Sequence, residues 1–181
     1  MVSHLRVHRV AFPACEVVSA ADRGLDNCVS CASVNAIRTA TRVEATVPQN
    51  ITIGIKQLCA EAKAEIQEVD VAGAQDLIGN KGATLIDIRD IRELWRDGKV
   101  PGSRHVPRGM VEFWIDPESP YYKDFFGGDG PFIFMCAGGL RSALTTQIAQ
   151  RMGLKPVYNL IGGFGAWKKA EAPIEPVEKA W

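Results

Sequence analysis

The sequence predicts an α/β fold with a parallel sheet covered on both faces. Short apolar runs alternate with stretches of helical period along most of the chain. The runs are apolar throughout, as expected of strands buried on both sides. Glycine and proline mark the boundaries between them.

The regular pattern starts at Ile51. Ile55, Leu58, Cys59, Ala62 and Ile66 follow helical spacing, with Glu and Lys on the opposite face. Asp70 is placed to cap a second short helix running through Leu77 and Ile78, and Gly79 to Gly82 reads as a turn. Ala83 to Ile88 reads as a buried strand, and Asp90 to Asp97 as one or two helical turns stopped by Gly98. Pro101-Gly102 is a turn and Arg104 to Val106 a short strand. Residues 108–130 are aromatic and rich in turns, and the aromatic segment from Phe113 to Phe126 is expected to cover the core. Phe132 to Met135 is a strand, and Ser142 to Met152 a helix with Leu144, Ile148 and Met152 on one face. Pro156 to Ile161 is another strand, followed by a Gly162-Gly163 turn and a short helix from Phe164 to Ala170 anchored by Trp167.

Composition excludes several classes. Lys plus Arg equals Asp plus Glu at 21 each, so the chain has no general attraction for nucleic acid or anionic membrane. No apolar run is long enough to span a bilayer. The segment from Val7 to Val18 is a poor secretory signal, broken by His8, Arg9, Pro13 and Glu16. Five irregularly placed cysteines fit a reducing cytoplasm better than a disulfide scaffold. Residues 1–50 hold three of them, Cys15, Cys28 and Cys31, and no lysine. This part is expected to be a poorly ordered or loosely packed extension. Cys28 and Cys31 have CxxC spacing, but a second well-spaced pair is missing, so no metal is expected. No cofactor is expected either.

The chemistry concentrates at Cys136, which ends a strand and opens the loop Cys136-Ala137-Gly138-Gly139-Leu140-Arg141 ahead of a helix. A thiol there faces the positive helix end and a set of backbone N–H groups. Both favour thiolate, the nucleophilic form. Arg141 adds a fixed charge, either to attract an anionic donor or to brace the loop against an acid such as Glu93 or Asp87. Asp87 and Arg89 at a strand end could orient the loop or simply pair. Ser142 is expected to cap the helix, with donation to the loop as the alternative. His105 is expected to be packed or at the surface; a thiolate needs no base. Cys59, on an apolar helix face, reads as a buried small hydrophobe.

The ordered blocks Leu85-Ile86-Asp87-Ile88-Arg89, Glu93-Leu94, Gly98 to Pro107, Cys136 to Ser142, Leu160 to Phe164 and Trp167 resemble the rhodanese family, the thiosulfate sulfurtransferases and their relatives, in a single-domain form. Lys99 and Val100 depart from the His and Ile common there. The resemblance covers residues 67–174 and implies a five-stranded parallel sheet flanked by helices there; the helical spacing before it makes 51–66 a lead-in helix, and 175–181 is left as a tail. It implies that Cys136 takes a sulfane sulfur from thiosulfate or a similar donor, and that Ala137, Gly138, Gly139, Leu140, Arg141 and Ser142 bind the persulfide. Asp87, Arg89 and Glu93 would support the loop. The acceptor would be cyanide, a thiol or a protein. In the phosphatases and arsenate reductases related to this family, five residues separate the cysteine from the arginine; here there are four, which favours a sulfane sulfur over a tetrahedral phosphate. A phosphatase or arsenate reductase, and a non-turnover sulfur carrier, are the alternative expectations.

Overall fold

The computed structural model describes residues 49–179. The elements run α1 (Ile55–Glu65), β1 (Gln67–Val69), α2 (Val71–Lys81), β2 (Thr84–Asp87), α3 (Ile91–Asp97), β3 (Arg104–His105), α4 (Val111–Ile115), β4 (Phe132–Met135), α5 (Leu140–Arg151), β5 (Val157–Leu160) and α6 (Gly163–Lys169). Single 3-10 turns occupy Arg108–Met110 and Asp124–Gly127. The five strands form one sheet in the order β1-β5-β4-β2-β3. Every pairing is parallel. The α/β class and the five-stranded parallel sheet are therefore both present.

Strand alternation builds a core on each face. From β4, Ile133 and Met135 join Leu77, Leu85, Leu160, Phe164 and Trp167 on one side. Phe132 and Phe134 join Ile86, Val106, Val111, Phe126 and Ala149 on the other. β4 is buried on both faces, and its carboxyl end opens at the middle of the sheet, where open parallel sheets bind ligands.

Local signals set several boundaries as expected. Asp70 caps α2 by accepting from the Gly73 N–H at 2.8 Å. Asp90 and Glu93 form a capping box on α3, and Gly98 ends it. Trp167 is buried and its indole N–H donates to Pro173 O at 2.9 Å.

Other elements differ. α2 runs on through Gly79 and Lys81, so the expected four-residue turn shrinks to Gly82, a left-handed cap. β1 is not legible in the sequence: three residues with an exposed-to-intermediate pattern give no apolar run. α4 overlaps the start of the aromatic segment, which does cover the core through Trp114, Tyr122, Phe125 and Phe126, while Phe113 and Tyr121 stay exposed in an edge-to-face pair. α5 starts two residues early, at Leu140. It buries Ser142, Ala143, Thr145, Thr146 and Ala149, and not the expected stripe of Leu144, Ile148 and Met152. Small residues on that face allow close approach to the sheet, and the threonine hydroxyls are satisfied within the fold, by Arg141 O and Ser142 O. The expected extension of residues 1–50, its CxxC pair and Cys15 lie outside the described residues, apart from Gln49 and Asn50.

Candidate active site

β4 delivers Cys136 to the carboxyl edge of the sheet, and the loop turns back under two tight backbone contacts. The Phe164 N–H donates to Cys136 O at 2.7 Å and the Gly165 N–H to Ala137 O at 2.9 Å. Here the start of α6 clasps the cysteine loop. Gly163 adopts φ +56, and a Cβ there would collide with Cys136 O and lie 2.9 Å from Gly139 N. Gly139 adopts φ +85, and a Cβ there would meet Gly162 N at 3.0 Å. Two glycines thus let two backbones touch where side chains would hold them apart. The sequence pattern reads Gly162-Gly163 as a turn; its contact with the loop depends on the tertiary fold.

The Cys136 side chain is almost wholly buried. Its Sγ accepts from the Gly139 N–H at 3.2 Å, the Ser142 N–H at 3.4 Å and the Ser142 hydroxyl at 3.4 Å. Burial alone pushes the thiol up. The hydrogen bonds from Ser142 Oγ–H and from the N–H groups of Ser142, Gly138 and Gly139 outweigh it, and Cys136 lies below the ordinary thiol value. Ser142 sits inside the first turn of α5 and not at its cap, which is Gly139. Its hydroxyl serves the sulfur, so the capping expectation is corrected. Ala137 contributes its carbonyl to the clasp, while the Leu140 side chain stays exposed.

Arg141 binds Glu93 in a two-pronged pair, both contacts at 3.0 Å. Glu93 lies below its ordinary value because of the hydrogen bond from Arg141, and Arg141 is raised by the same bond. Cys136 also lies within reach of the Arg141 charge and raises it further.

Asp87 and Arg89 are sealed in the core instead of facing the thiol. Arg89 makes a bidentate pair with Asp87, with Nη2 to Oδ2 at 2.7 Å, donates to Gly98 O at 2.8 Å, and stacks 3.7 Å above the Phe164 ring. Of the two acids expected to pair with Arg141, Asp87 is therefore taken by Arg89 and Glu93 is the one used. His105 is half-buried with Nε2 2.8 Å from Arg89 O. Cys59 is buried under the loop, its thiol 3.9 Å from Leu140 O, and both described cysteines are free thiols. No helix among the described residues is long and apolar enough to cross a membrane.

The site rests on a strand-to-loop-to-helix unit held by an adjoining helix start. The rhodanese-like domain family matches residues 70–170, more than half of the chain. The chain belongs to the rhodanese-like domain family. Among curated relatives, the thiosulfate sulfurtransferase GlpE of Vibrio cholerae is 32% identical over 107 residues, covering 59% of this chain and 92% of that relative. A solved structure from Rhodopseudomonas palustris is 54% identical with a TM-score of 0.69, covering 71% of this chain and 99% of its own; it is described as a protein of unknown function and possible tyrosine phosphatase. The polysulfide-sulfur transferase homodimer of Wolinella succinogenes is 28% identical with a TM-score of 0.52, covering 68% and 88%.

Proposed function

We propose that this rhodanese-like domain is a sulfurtransferase that carries a sulfane sulfur on Cys136. The observation that carries the reading is the Cys136 cradle, in which backbone N–H groups and the Ser142 hydroxyl converge on Sγ within a loop of four residues before Arg141. Two of the relatives above are named as sulfur transferases, which supports the same reading.

With thiosulfate as donor, the Cys136 thiolate attacks the outer sulfur. A new S–S bond forms, the old one breaks with its electron pair leaving on sulfite, and Cys136 becomes a persulfide anion. A thiophilic acceptor, cyanide or a thiol, then attacks the outer sulfur and returns the thiolate. Two half-reactions through one covalent intermediate predict ping-pong kinetics. The N–H groups of the loop stabilise the persulfide charge in the manner of an oxyanion hole. Arg141, held by Glu93, braces the loop and keeps a positive charge near an approaching anion. We assign this activity to residues 67–174, with 51–66 as the lead-in segment, and to a reducing compartment such as the cytoplasm.

Phosphate ester hydrolysis is a second reading, favoured by the description of the Rhodopseudomonas palustris neighbour. Two features weigh against it. The loop is one residue shorter than the phosphatase pattern. Glu93, the carboxylate brought to the loop, is held ionised by Arg141 and is a poor proton donor to a leaving group at neutral pH.

The test is thiocyanate formation from thiosulfate and cyanide, with intact mass after thiosulfate alone. The expected result is turnover and one added sulfur in the wild type and in Cys59→Ala, with both lost in Cys136→Ala. A wild type that takes up no sulfur but hydrolyses an aryl phosphate would replace this reading with the second.

A further inference from the structure

Asn159 is a polar side chain at a fully buried position of the sheet. It lies on β5 opposite Phe134 of β4 and Glu68 of β1, where strand alternation otherwise places core residues such as Val157. Its amide nitrogen donates to Glu68 Oε1 at 2.7 Å and to Gly139 O at 3.2 Å. Glu68 is in turn paired with Lys63 of α1 at 3.4 Å. Both amide hydrogens are thus committed to oxygens. Rotating the amide by a half-turn would set Oδ1 against a carboxylate and a carbonyl, so the orientation is fixed. Oδ1 itself is buried with no hydrogen-bond partner among the described residues, so packing alone gives no reason for an asparagine here.

The bond to Gly139 is placed where it matters for the cysteine loop. The Gly139 carbonyl and the Leu140 N–H belong to one trans peptide and point in opposite directions. With its oxygen held by Asn159 and by the Ala143 N–H, the peptide turns its Leu140 N–H away from both. The Leu140 N–H precedes the first intrahelical bond of α5, from the Ala143 N–H to Gly139 O, so the helix makes no use of it.

We propose that Asn159 is a positioning residue for sulfur transfer. Fixed by Glu68, it holds the Gly139–Leu140 peptide so that the Leu140 N–H faces the outer sulfur of a Cys136 persulfide. This rests on the sulfurtransferase reading of the site. It adds a division of labour: the Gly139 and Ser142 N–H groups serve Sγ, and the peptide held by Asn159 serves the sulfur beyond it.

The test compares wild type, Asn159→Leu and Asn159→Asp in three measurements: the rate of sulfur loading from thiosulfate by intact mass, kcat/KM with cyanide, and the rate of Cys136 alkylation by iodoacetamide. Asn159→Leu keeps the number of side-chain heavy atoms and their branching and loses both donors. Its loading rate is expected to fall by about tenfold to a hundredfold, the cost of a misplaced group next to the chemistry. Alkylation, which reports only the thiolate, stays within about twofold, because the donors to Sγ remain. Asn159→Asp keeps the shape and donates only when protonated, with Glu68 and Lys63 as its charged neighbours. Its loading rate relative to wild type is expected to rise as pH falls from about 8 to about 6, the direction expected of a buried carboxyl beside another. That ratio keeps the test decisive even where Asn159→Leu does not fold, because it is read beside the alkylation rate at each pH: a merely structural role moves loading and alkylation together, whereas the positioning role moves loading alone. Equal loading by the folded Asn159→Leu variant and wild type, or a flat Asn159→Asp ratio, overturns the role of Asn159 while leaving the sulfurtransferase reading intact. A wild type that acquires no sulfur overturns both.

Discussion

Arg141 and Glu93 meet through two parallel hydrogen bonds of 3.0 Å, joining the end of the cysteine loop to the first turn of α3 across 48 residues of sequence. Both side chains keep some contact with solvent, so the pair contributes no more than about 1 kcal/mol to folding. Its value lies in orientation, since a two-pronged carboxylate fixes the plane of the guanidinium. Glu93→Gln is therefore expected to lower kcat/KM for thiosulfate by about tenfold while leaving the melting temperature nearly unchanged. The depressed Glu93 value gives the pH dependence its sign. The pair is fully formed above the ordinary carboxylate range and is lost as pH falls through the lower folded value, so its contribution is constant at neutral pH. A large fall in melting temperature without loss of activity would show that the pair serves stability instead.

Ser142 offers a sharper pH test, because its hydroxyl and its N–H both donate to Cys136 Sγ. Ser142→Ala removes one donor and leaves the other. A hydrogen bond to a charged group is worth about 1.5–3 kcal/mol, so alkylation of Cys136 at neutral pH is expected to slow by about tenfold. The acid limb of kcat/KM moves to higher pH, since the thiol value rises toward its ordinary position. Thiolate stabilisation is present above the ordinary thiol range and lost as pH falls through the depressed folded value, so the wild type stays active at lower pH than the variant. Superimposable pH–rate profiles for the two proteins would rule out the hydroxyl as a thiolate donor.

The contrast between what sequence reveals and what it hides follows the range of the interactions involved. The Cys136 loop is legible because its chemistry is local: a strand end, glycines and a helix start within a few residues. Sequence points to Glu93 as a partner for Arg141, but only beside Asp87, and the buried bidentate pair with Arg89 decides between them. Asn159 gives no signal, because it stands as a lone polar residue inside the expected strand Pro156 to Ile161 with nothing in its neighbourhood to mark a partner. Its meaning comes from Gly139, 20 residues away, and Glu68, 91 residues away. The buried face of α5 escapes the apolar periodicity because its tight packing on the sheet uses Ala143, Thr145, Thr146 and Ala149, residues that carry little weight in such a pattern.

Two glycines separate backbone permission from backbone flexibility. Gly163 sits at φ +56 with Cys136 O and Gly139 N where a Cβ would be, so Gly163→Ala must displace the clasp between α6 and the cysteine loop. The expected outcome is loss of most sulfurtransferase activity together with a loss of about 1–3 kcal/mol of stability, the cost of strain at such a position. Gly79 lies inside α2 with nothing within 4 Å of the position a Cβ would take. Gly79→Ala is expected to raise stability by about 0.4–1 kcal/mol, through reduced freedom of the unfolded chain, with unchanged Cys136 alkylation. Urea denaturation of both variants beside the alkylation assay measures each effect separately.

Arg89 is the strongest test of the assignment of the Asp87 pair to the core. The pair is buried, its hydrogen bonds are complete, and the guanidinium lies on the ring of Phe164, whose own N–H holds Cys136 O. Removing one partner of a buried pair leaves an uncompensated charge and costs about 3–5 kcal/mol. Arg89→Met is therefore expected to lose that much stability, because Asp87 is left with no guanidinium to answer it. Asp87→Asn combined with Arg89→Met removes both charges and is expected to recover a large part of the loss. Arg89→Lys is not a rescue, since an ammonium cannot serve Asp87 bidentately, reach Gly98 O and stack on a ring at once. If the double variant is no more stable than Arg89→Met in urea denaturation, the cost lies in lost packing on Phe164 and not in the stranded carboxylate.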